Sequence, residues 1–208
     1  MISYTQENES YPLYGQLPKG SESRGTKWYN DIMPNLPGGW NNGVYRCPTY
    51  RGRVYDYPPT PDGWNVYMSL GSYAYNGGSA SGQRYLYGFS RKSSEWWNSP
   101  KEMTAVHESE VLNPSDMITL GDSLSRWYTL EQPELILVNG TDFLSRKINS
   151  YYDDGLSGAS QRHRGMSHIA FADGHVEAIT LKKLFFDLDE ASLRRWHIDN
   201  HPHAELFR

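Results

Sequence analysis

The chain has 208 residues, enough for one compact domain and too few for two developed cores with a linker. It contains 7 Trp, 16 Tyr and 6 Phe, which excludes a disordered tail and predicts a core built largely of aromatic rings. With 20 Lys and Arg against 24 Asp and Glu, the net charge of -4 argues against a broad surface for nucleic acid or anionic lipid.

Residues 1–65 are predicted to be rich in loops. Eight prolines fall at or before Pro61, and several glycines lie between them without a helical period. A loop region of this length usually has a functional role or packs against something else. We therefore expect a single domain, 1–208, in which 1–65 wraps around a body formed by 66–208.

Three short segments of the body have the apolar character of β-strands. They are 72–75, 117–120 and 135–138, and each is closed by turn residues. The last two are predicted to be central strands. Residues 104–112 fit either a strand or a helical turn, and Pro114 then interrupts the pattern.

The clearest element is a hairpin formed by 167–172 and 175–180 around Asp173-Gly174. Asp-Gly between two β-patterned runs favours a two-residue type I′ turn, which places Ala172 opposite His175. That register predicts which side chains face the core: Ile169, Phe171, Val176 and Ala178. It places another set on the opposite face: His168, Ala170, Ala172, His175 and Glu177.

A short helix is expected after the hairpin. Acidic residues begin the segment 187–197 and basic residues come late in it, which suits the helix dipole. Leu193 and Trp196, three residues apart, are predicted to dock this helix on the core. The expected fold class is therefore α+β, with an antiparallel sheet, long N-terminal loops and a short C-terminal helix.

Histidines near the hairpin suggest a metal or acid/base site, but the predicted geometry argues against one. His168 stands four residues from the expected position of His175, or roughly 13 Å along an extended strand. His163 lies further back and approaches Asp173 only if the chain doubles back. We therefore interpret His163 and Asp173 as structural and predict neither catalytic residues nor a metal ligand set.

Other candidate ligands are weak. Cys47 is the only cysteine, so the chain has no internal disulfide and no CxxC metal motif. Residues 153–155 resemble a fragment of a calcium loop without its full set of carboxylates, so calcium is not indicated. His201 and His203 form a lone pair of a kind that is usually solvated. No cofactor is expected.

Two further features bear on function. Asp122 directly follows a predicted strand, where carboxylates often serve as caps or ligands, but the surrounding residues lack the spacing of a serine nucleophile elbow. Trp96-Trp97 could stack on sugar rings, although packing is the more common use of such residues in so aromatic a chain.

A series of motifs resembles one protein family in order along nearly the whole chain. His163, nine residues and then Asp173-Gly174 are similar to the His-x9-Asp-Gly motif of prepilin-type pseudopilins, the G-like subunits of type II secretion systems. The remaining matches are 4–12 after the family's N-terminal helix, Cys47-Pro48 in its "CP" segment, 72–76 in its "SYxxN" strand, 111–115 with the following Asp122, and 193–203 in its C-terminal tail.

The resemblance implies a non-enzymatic structural or assembly subunit. The family begins with a basic leader, a prepilin peptidase site and a long apolar helix. We expect these to have been removed from the given sequence; the alternative is a stand-alone soluble relative that does not assemble into a filament. In the full-length protein, that helix would supply the membrane anchor and the contacts with other pseudopilins and secretion proteins, and would place the head in the periplasm or at the cell surface. The alternative is an extracytoplasmic module that binds solutes or glycans through exposed Trp and Tyr.

Overall fold

The computed structural model shows short strands and helices around an antiparallel sheet, in agreement with the predicted α+β class. It describes these residues: 1–12, 15–16, 26–32, 47–49, 55–56, 69–70, 73–76, 88–91, 104–122, 126–127, 137–138, 162–185, 187 and 189–207. The helices are α1 (Ile2–Asn8), α2 (Trp28–Ile32), α3 (Leu181–Phe185) and α4 (Glu190–Leu193). None of the helices in these ranges has the length and apolar character needed to cross a membrane.

Four strands form the main sheet. Their order is β12 (Val176–Thr180), β11 (Met166–Phe171), β8 (Ile118–Asp122) and β5 (Tyr73–Tyr75), and every neighbouring pair is antiparallel. The other strands lie in two-stranded pairs: β1 (Gly15–Gln16) with β2 (Thr26–Lys27), β3 (Tyr55–Asp56) with β4 (Ser69–Leu70), β6 (Ser90–Arg91) with β7 (Thr104–Ala105), and β9 (Arg126–Trp127) with β10 (Leu137–Val138).

The predictions for single strands had mixed outcomes. The segments at 72–75 and 117–120 correspond to β5 and β8, and β8 is central as expected. The segment at 135–138 contains β10, which pairs with β9 outside the main sheet, so its prediction as a central strand is wrong. Residues 104–112 contain both alternatives, the short strand β7 and a 3₁₀ turn over Glu108–Glu110.

Aromatic rings contribute strongly to the described core, as the composition predicts. Tyr75 and Phe89 are fully buried, with ring centroids 5.6 Å apart. Tyr11 lies 4.3 Å from Phe89, and Trp28 lies 5.7 Å from Tyr75. Such pairs add about 0.5–1.5 kcal/mol each beyond the burial of their surface.

Two helices lie in the segment that was predicted to be loop. Helix α1 packs on the aromatic core, since Thr5 is buried and Met1 and Tyr4 contact that cluster. Helix α2 contributes buried Ile32. The prolines that suggested irregular structure lie between and after α1 and α2, outside both helices, so the composition of 1–65 as a whole concealed them.

The Asp-Gly hairpin forms, but its predicted register is wrong by one residue. Ala170 pairs with Val176, and the Phe171 N–H donates to the His175 carbonyl at 3.0 Å. The loop therefore has three residues, and Gly174, with φ +91°, is the one that adopts positive φ. A one-residue slip exchanges the two faces of a strand, which explains why Val176 is 63% exposed.

The correct register changes which side chains reach the core. Ile169 and Phe171 are buried as predicted, whereas Ala178, expected inside, is exposed. On the predicted outer face, His175 stacks on Phe171 with centroids 4.3 Å apart, and Ala172 is buried.

Replacing Gly174 with Val should destabilise the fold by about 1–3 kcal/mol, because a β-branched residue at this φ is strained. An added Cβ would also meet the side chain of Ile2, although that side chain is 40% exposed and can rotate away. At roughly 2–4 °C per kcal/mol, thermal unfolding should show a clear loss. Gly174→Asn should cost less, since Asn tolerates positive φ better; an unchanged melting temperature for Gly174→Val would contradict the turn geometry.

The C-terminal segment docks as expected. Asp189 caps the N-terminus of α4 through its side chain, which accepts a hydrogen bond from the Ser192 N–H at 3.0 Å, and a 3₁₀ turn continues the helix to Trp196. Leu193 and Trp196 are 1% and 0% exposed, which confirms the predicted docking residues. Arg195 also covers the sheet, with its guanidinium carbon 4.5 Å from the Phe171 ring centroid.

His197 should make the stability depend on pH. Burial lowers the pKa of His197 to about 4, although Asp199 and Glu205 oppose the shift and His203 adds to it. Because the unfolded ring takes up a proton near pH 6.5, the native state should lose about 2 kcal/mol between pH 7 and pH 5. Urea unfolding at both pH values should show that His197→Gln removes this loss. The exposed His107→Gln is the control, and an equal pH dependence in wild type and His197→Gln would contradict the prediction.

Candidate functional site

Asp122 stands at the end of the central strand β8 and is 2% exposed. Its neighbour across the sheet is Tyr73 on β5. One carboxylate oxygen, Oδ2, accepts a hydrogen bond from the backbone N–H of His168 on β11 at 2.9 Å. The carboxylate is therefore tied to β11, while the backbone of Asp122 pairs with β5 on the other side.

The backbone before β11 follows an unusual path. His163, Arg164 and Gly165 have φ values of 47°, 61° and 82°, three consecutive residues in the left-handed region. Two of the three carry a Cβ, for which this region is unfavourable, and such strain persists only where surrounding contacts compensate for it. The chain thereby doubles back ahead of the strand, and the His163 side chain reaches Asp122.

Cys47 meets His163 although 116 residues separate them. Cys47 Sγ lies 3.0 Å from His163 Nε2, and the same nitrogen lies 3.4 Å from Asp122 Oδ2. Thr49 adds a hydroxyl 3.1 Å from Sγ and 3.4 Å from Nε2. The thiol is fully buried, whereas Thr49 is exposed, so solvent is closest on the Thr49 side.

A buried arginine lies beside this cluster. Arg162 is 7% exposed, and its Nη1 lies 3.6 Å from Asp122 Oδ1. Burial raises the pKa of Tyr73 to about 12, with contributions from nearby Cys47 and Asp122, against which Arg162 acts. The phenol therefore stays neutral at physiological pH beside the paired carboxylate.

The geometry is unsuited to a proton relay. In a nucleophile, histidine and carboxylate triad, the two partners contact different imidazole nitrogens. Here both Cys47 and Asp122 face Nε2 of His163. Instead, three possible ligand atoms lie close together: a thiol sulfur, a ring nitrogen and a carboxylate oxygen, all within 4.8 Å of one another.

The other end of the His-x9-Asp-Gly motif has different contacts. Asp173 Oδ1 accepts from the His175 N–H at 3.1 Å and lies 2.6 Å from His175 Nδ1. The backbone N–H of His175 lowers the pKa of Asp173, and the Asp173 carboxylate raises the pKa of His175. Asp173 thus has the contacts of a turn residue, and the contacts of His163 are with Cys47 and Asp122 instead.

The remaining predicted site residues are dispersed. Pro48 is exposed beside Cys47, and His203 lies 2.8 Å from Asp199 Oδ2. The candidate stacking pair Trp96-Trp97 and the calcium-like segment 153–155 lie outside the described residues, so those two interpretations stay predictions.

Cys47, Asp122 and His163 stand out in the sequence separately, with no pattern that joins them, and neither Arg162 nor Thr49 was predicted to have a role at a site. The available signal was that the first three all belong to segments that resemble the pseudopilin motifs. The left-handed backbone at 163–165 turns His163 toward Cys47 and Asp122, whereas a doubling back had been considered only as a way for His163 to approach Asp173.

Comparisons of the chain with protein-family models, curated proteins and solved structures gave no match.

Proposed function

We propose that this chain is the head domain of a pseudopilin-like structural subunit that assembles with related subunits and has no catalytic activity. The observation that carries the proposal is that both ends of the His-x9-Asp-Gly motif join separate segments of the chain. His163 connects to Cys47 and Asp122, and Gly174 lies against Ile2 of α1. A motif that braces a domain in this way suits a structural role.

Helix α1 is part of the proposed head. Thr5 is buried and Tyr4 packs against the aromatic core, so α1 lies on the body.

The buried cluster supports the absence of catalysis. Cys47 has no exposed surface, so a substrate could not reach its sulfur without rearrangement. His163 directs a single nitrogen toward both neighbours, which leaves it unsuited to relay a proton. These groups are better placed to hold the domain together than to turn over a substrate.

The proposed setting follows from the resemblance. An apolar helix preceding residue 1 would anchor the subunit in the inner membrane and bundle with the helices of other pseudopilins. The head would then lie on the periplasmic or cell-surface side and contact secretion-system proteins.

The test is to tag the C-terminus of the full-length gene product at its native locus. We expect a membrane-associated protein that prepilin peptidase shortens at its N-terminus and that cross-links to other pilin-like subunits. A strain without the peptidase is the control and should accumulate only the longer form. A tagged protein that stays unprocessed and free of such cross-links in the wild-type strain would overturn the proposal.

A further inference from the structure

Three side chains of different chemistry converge at the buried cluster described above. They are Cys47, Asp122 and His163, with ligand atoms that all lie within 4.8 Å of one another. We propose that they form a binding site for one Zn²⁺ ion. This inference concerns the chain itself and does not depend on its assembly into a filament.

The spacing of the ligand atoms suits tetrahedral zinc. Typical zinc bond lengths place a nitrogen and an oxygen ligand about 3.3 Å apart and a nitrogen and a sulfur ligand about 3.6 Å apart. The corresponding distances are 3.4 Å from His163 Nε2 to Asp122 Oδ2 and 3.0 Å from Nε2 to Cys47 Sγ. Binding therefore requires the sulfur to move away from Nε2 by roughly half an ångström, leaves the nitrogen and oxygen pair in place, and brings the third pair, Cys47 Sγ and the Asp122 carboxylate, together from within 4.8 Å.

The hydrogen-bonding capacity of His163 Nε2 also favours a bound cation between the three side chains. A single N–H on His163 Nε2 can point at the thiol or at the carboxylate, but not well at both. Asp122 Oδ1 faces the Arg162 guanidinium, and Oδ2, which accepts from the His168 N–H, is the oxygen that lies near His163 Nε2. One divalent ion would bind sulfur, nitrogen and Oδ2 together, with the thiolate and the carboxylate supplying two negative charges beside the ion and Arg162.

The donor set selects the metal. A thiolate and an imidazole suit zinc, whereas calcium and magnesium prefer oxygen ligands alone. Three protein ligands leave a fourth tetrahedral position, and the exposed Thr49 hydroxyl next to Sγ and Nε2 is placed to hydrogen-bond a water there. Arg162 would hold the carboxylate from its outer side, as outer-shell partners of metal ligands do.

The experiment uses Co²⁺ as a spectroscopic probe for the zinc site. Because Cys47 is the only cysteine, a sulfur-to-cobalt charge-transfer band reports on this site alone. The purified 208-residue chain, freed of metal by a chelator, should bind one equivalent of Co²⁺ with that band and with visible bands of tetrahedral cobalt. Zn²⁺ should displace the cobalt, and Ca²⁺ should not. Affinity should fall as the pH is lowered, because binding releases the thiol proton.

Three variants and one control assign the ligands. Cys47→Ser should abolish the charge-transfer band, while His163→Gln and Asp122→Asn should weaken binding by more than about 100-fold, since loss of a mere outer-shell partner already costs 10–100-fold. His203→Gln, in the histidine-rich C-terminal segment, should bind as wild type does. Circular dichroism in chelator checks folding, and His163→Gln carries the test if another variant does not fold, because its side chain is only partly buried.

The opposite results are equally clear. Absence of the charge-transfer band in the wild-type chain would overturn the proposal. So would a band that persists at unchanged affinity in His163→Gln, since the thiol would then bind alone, or binding that depends on His203 and not on Cys47.

Discussion

Asp122→Asn should lower the free energy of unfolding by about 3–5 kcal/mol, measured by urea denaturation in the presence of chelator. Asp122 and Arg162 are 2% and 7% exposed, and removal of the Asp122 charge takes away a carboxylate that faces a buried guanidinium. The amide can still accept the hydrogen bond from the His168 N–H, so the loss reports mainly on charge. The chelator ensures that the metal-free protein is measured.

The matched control is an exposed ion pair between α3 and the chain that follows it. Lys182 Nζ and Asp187 Oδ1 are 4.0 Å apart, and the Lys182 side chain is 82% exposed, so Asp187→Asn should change stability by less than about 1 kcal/mol. Equal losses for Asp122→Asn and Asp187→Asn would show that the carboxylate at the end of β8 is not a buried partner of Arg162.

Asn76→Asp should destabilise the fold by about 3 kcal/mol or more at neutral pH. Asn76 is fully buried, and its Nδ2 donates to the carbonyls of Ile118 at 2.9 Å and Trp196 at 3.1 Å. A carboxylate there would face two carbonyl oxygens with no proton to donate, and it would bury an unpaired charge. The side chain ties the end of β5 to β8 and to the C-terminal segment, so the whole sheet should weaken.

The pH dependence of Asn76→Asp gives a second measure. The pKa of the introduced carboxyl would be raised in the folded state, since only the protonated form can donate. Its destabilisation should therefore be smallest below the unfolded pKa near 4 and grow as the pH rises. Asn113→Asp, in a partly exposed turn, is the control and should stay within about 0.5 kcal/mol of wild type; a pH-independent loss in Asn76→Asp would contradict the predicted burial of charge.

Local sequence pattern predicted those parts of the fold that are determined by neighbouring residues in the chain. Apolar runs closed by turn residues located β5 and β8, and the Leu193 and Trp196 spacing located the docking face of the last helix. Local sequence pattern did not determine the hairpin register. Asp-Gly is compatible with a two-residue and with a three-residue loop, and in the three-residue form His175 stands opposite Phe171 and the two rings stack.

The candidate site depends on contacts that no local pattern contains. Cys47 reaches His163 through tertiary packing across 116 residues, and Asp122 joins them because β8 lies between β5 and β11. The left-handed backbone at His163 and Arg164 is unfavourable by intrinsic preference, so only the following Gly165 hinted at it. The individual residues could be selected from the sequence, but the contacts between them could not be predicted from it.

The nine-residue spacer of the His-x9-Asp-Gly motif has a geometric explanation in β11. Six of the nine residues form this strand, and the others complete the turns at its two ends. One inserted residue would turn the side chains beyond it to the opposite face of the sheet. Either Asp173 or His163 would then lose its present contacts. Two inserted residues would restore the sides yet displace one end by roughly 6.6 Å. A sequence in which His163 and Asp173 both keep their present contacts must therefore also keep nine residues between them.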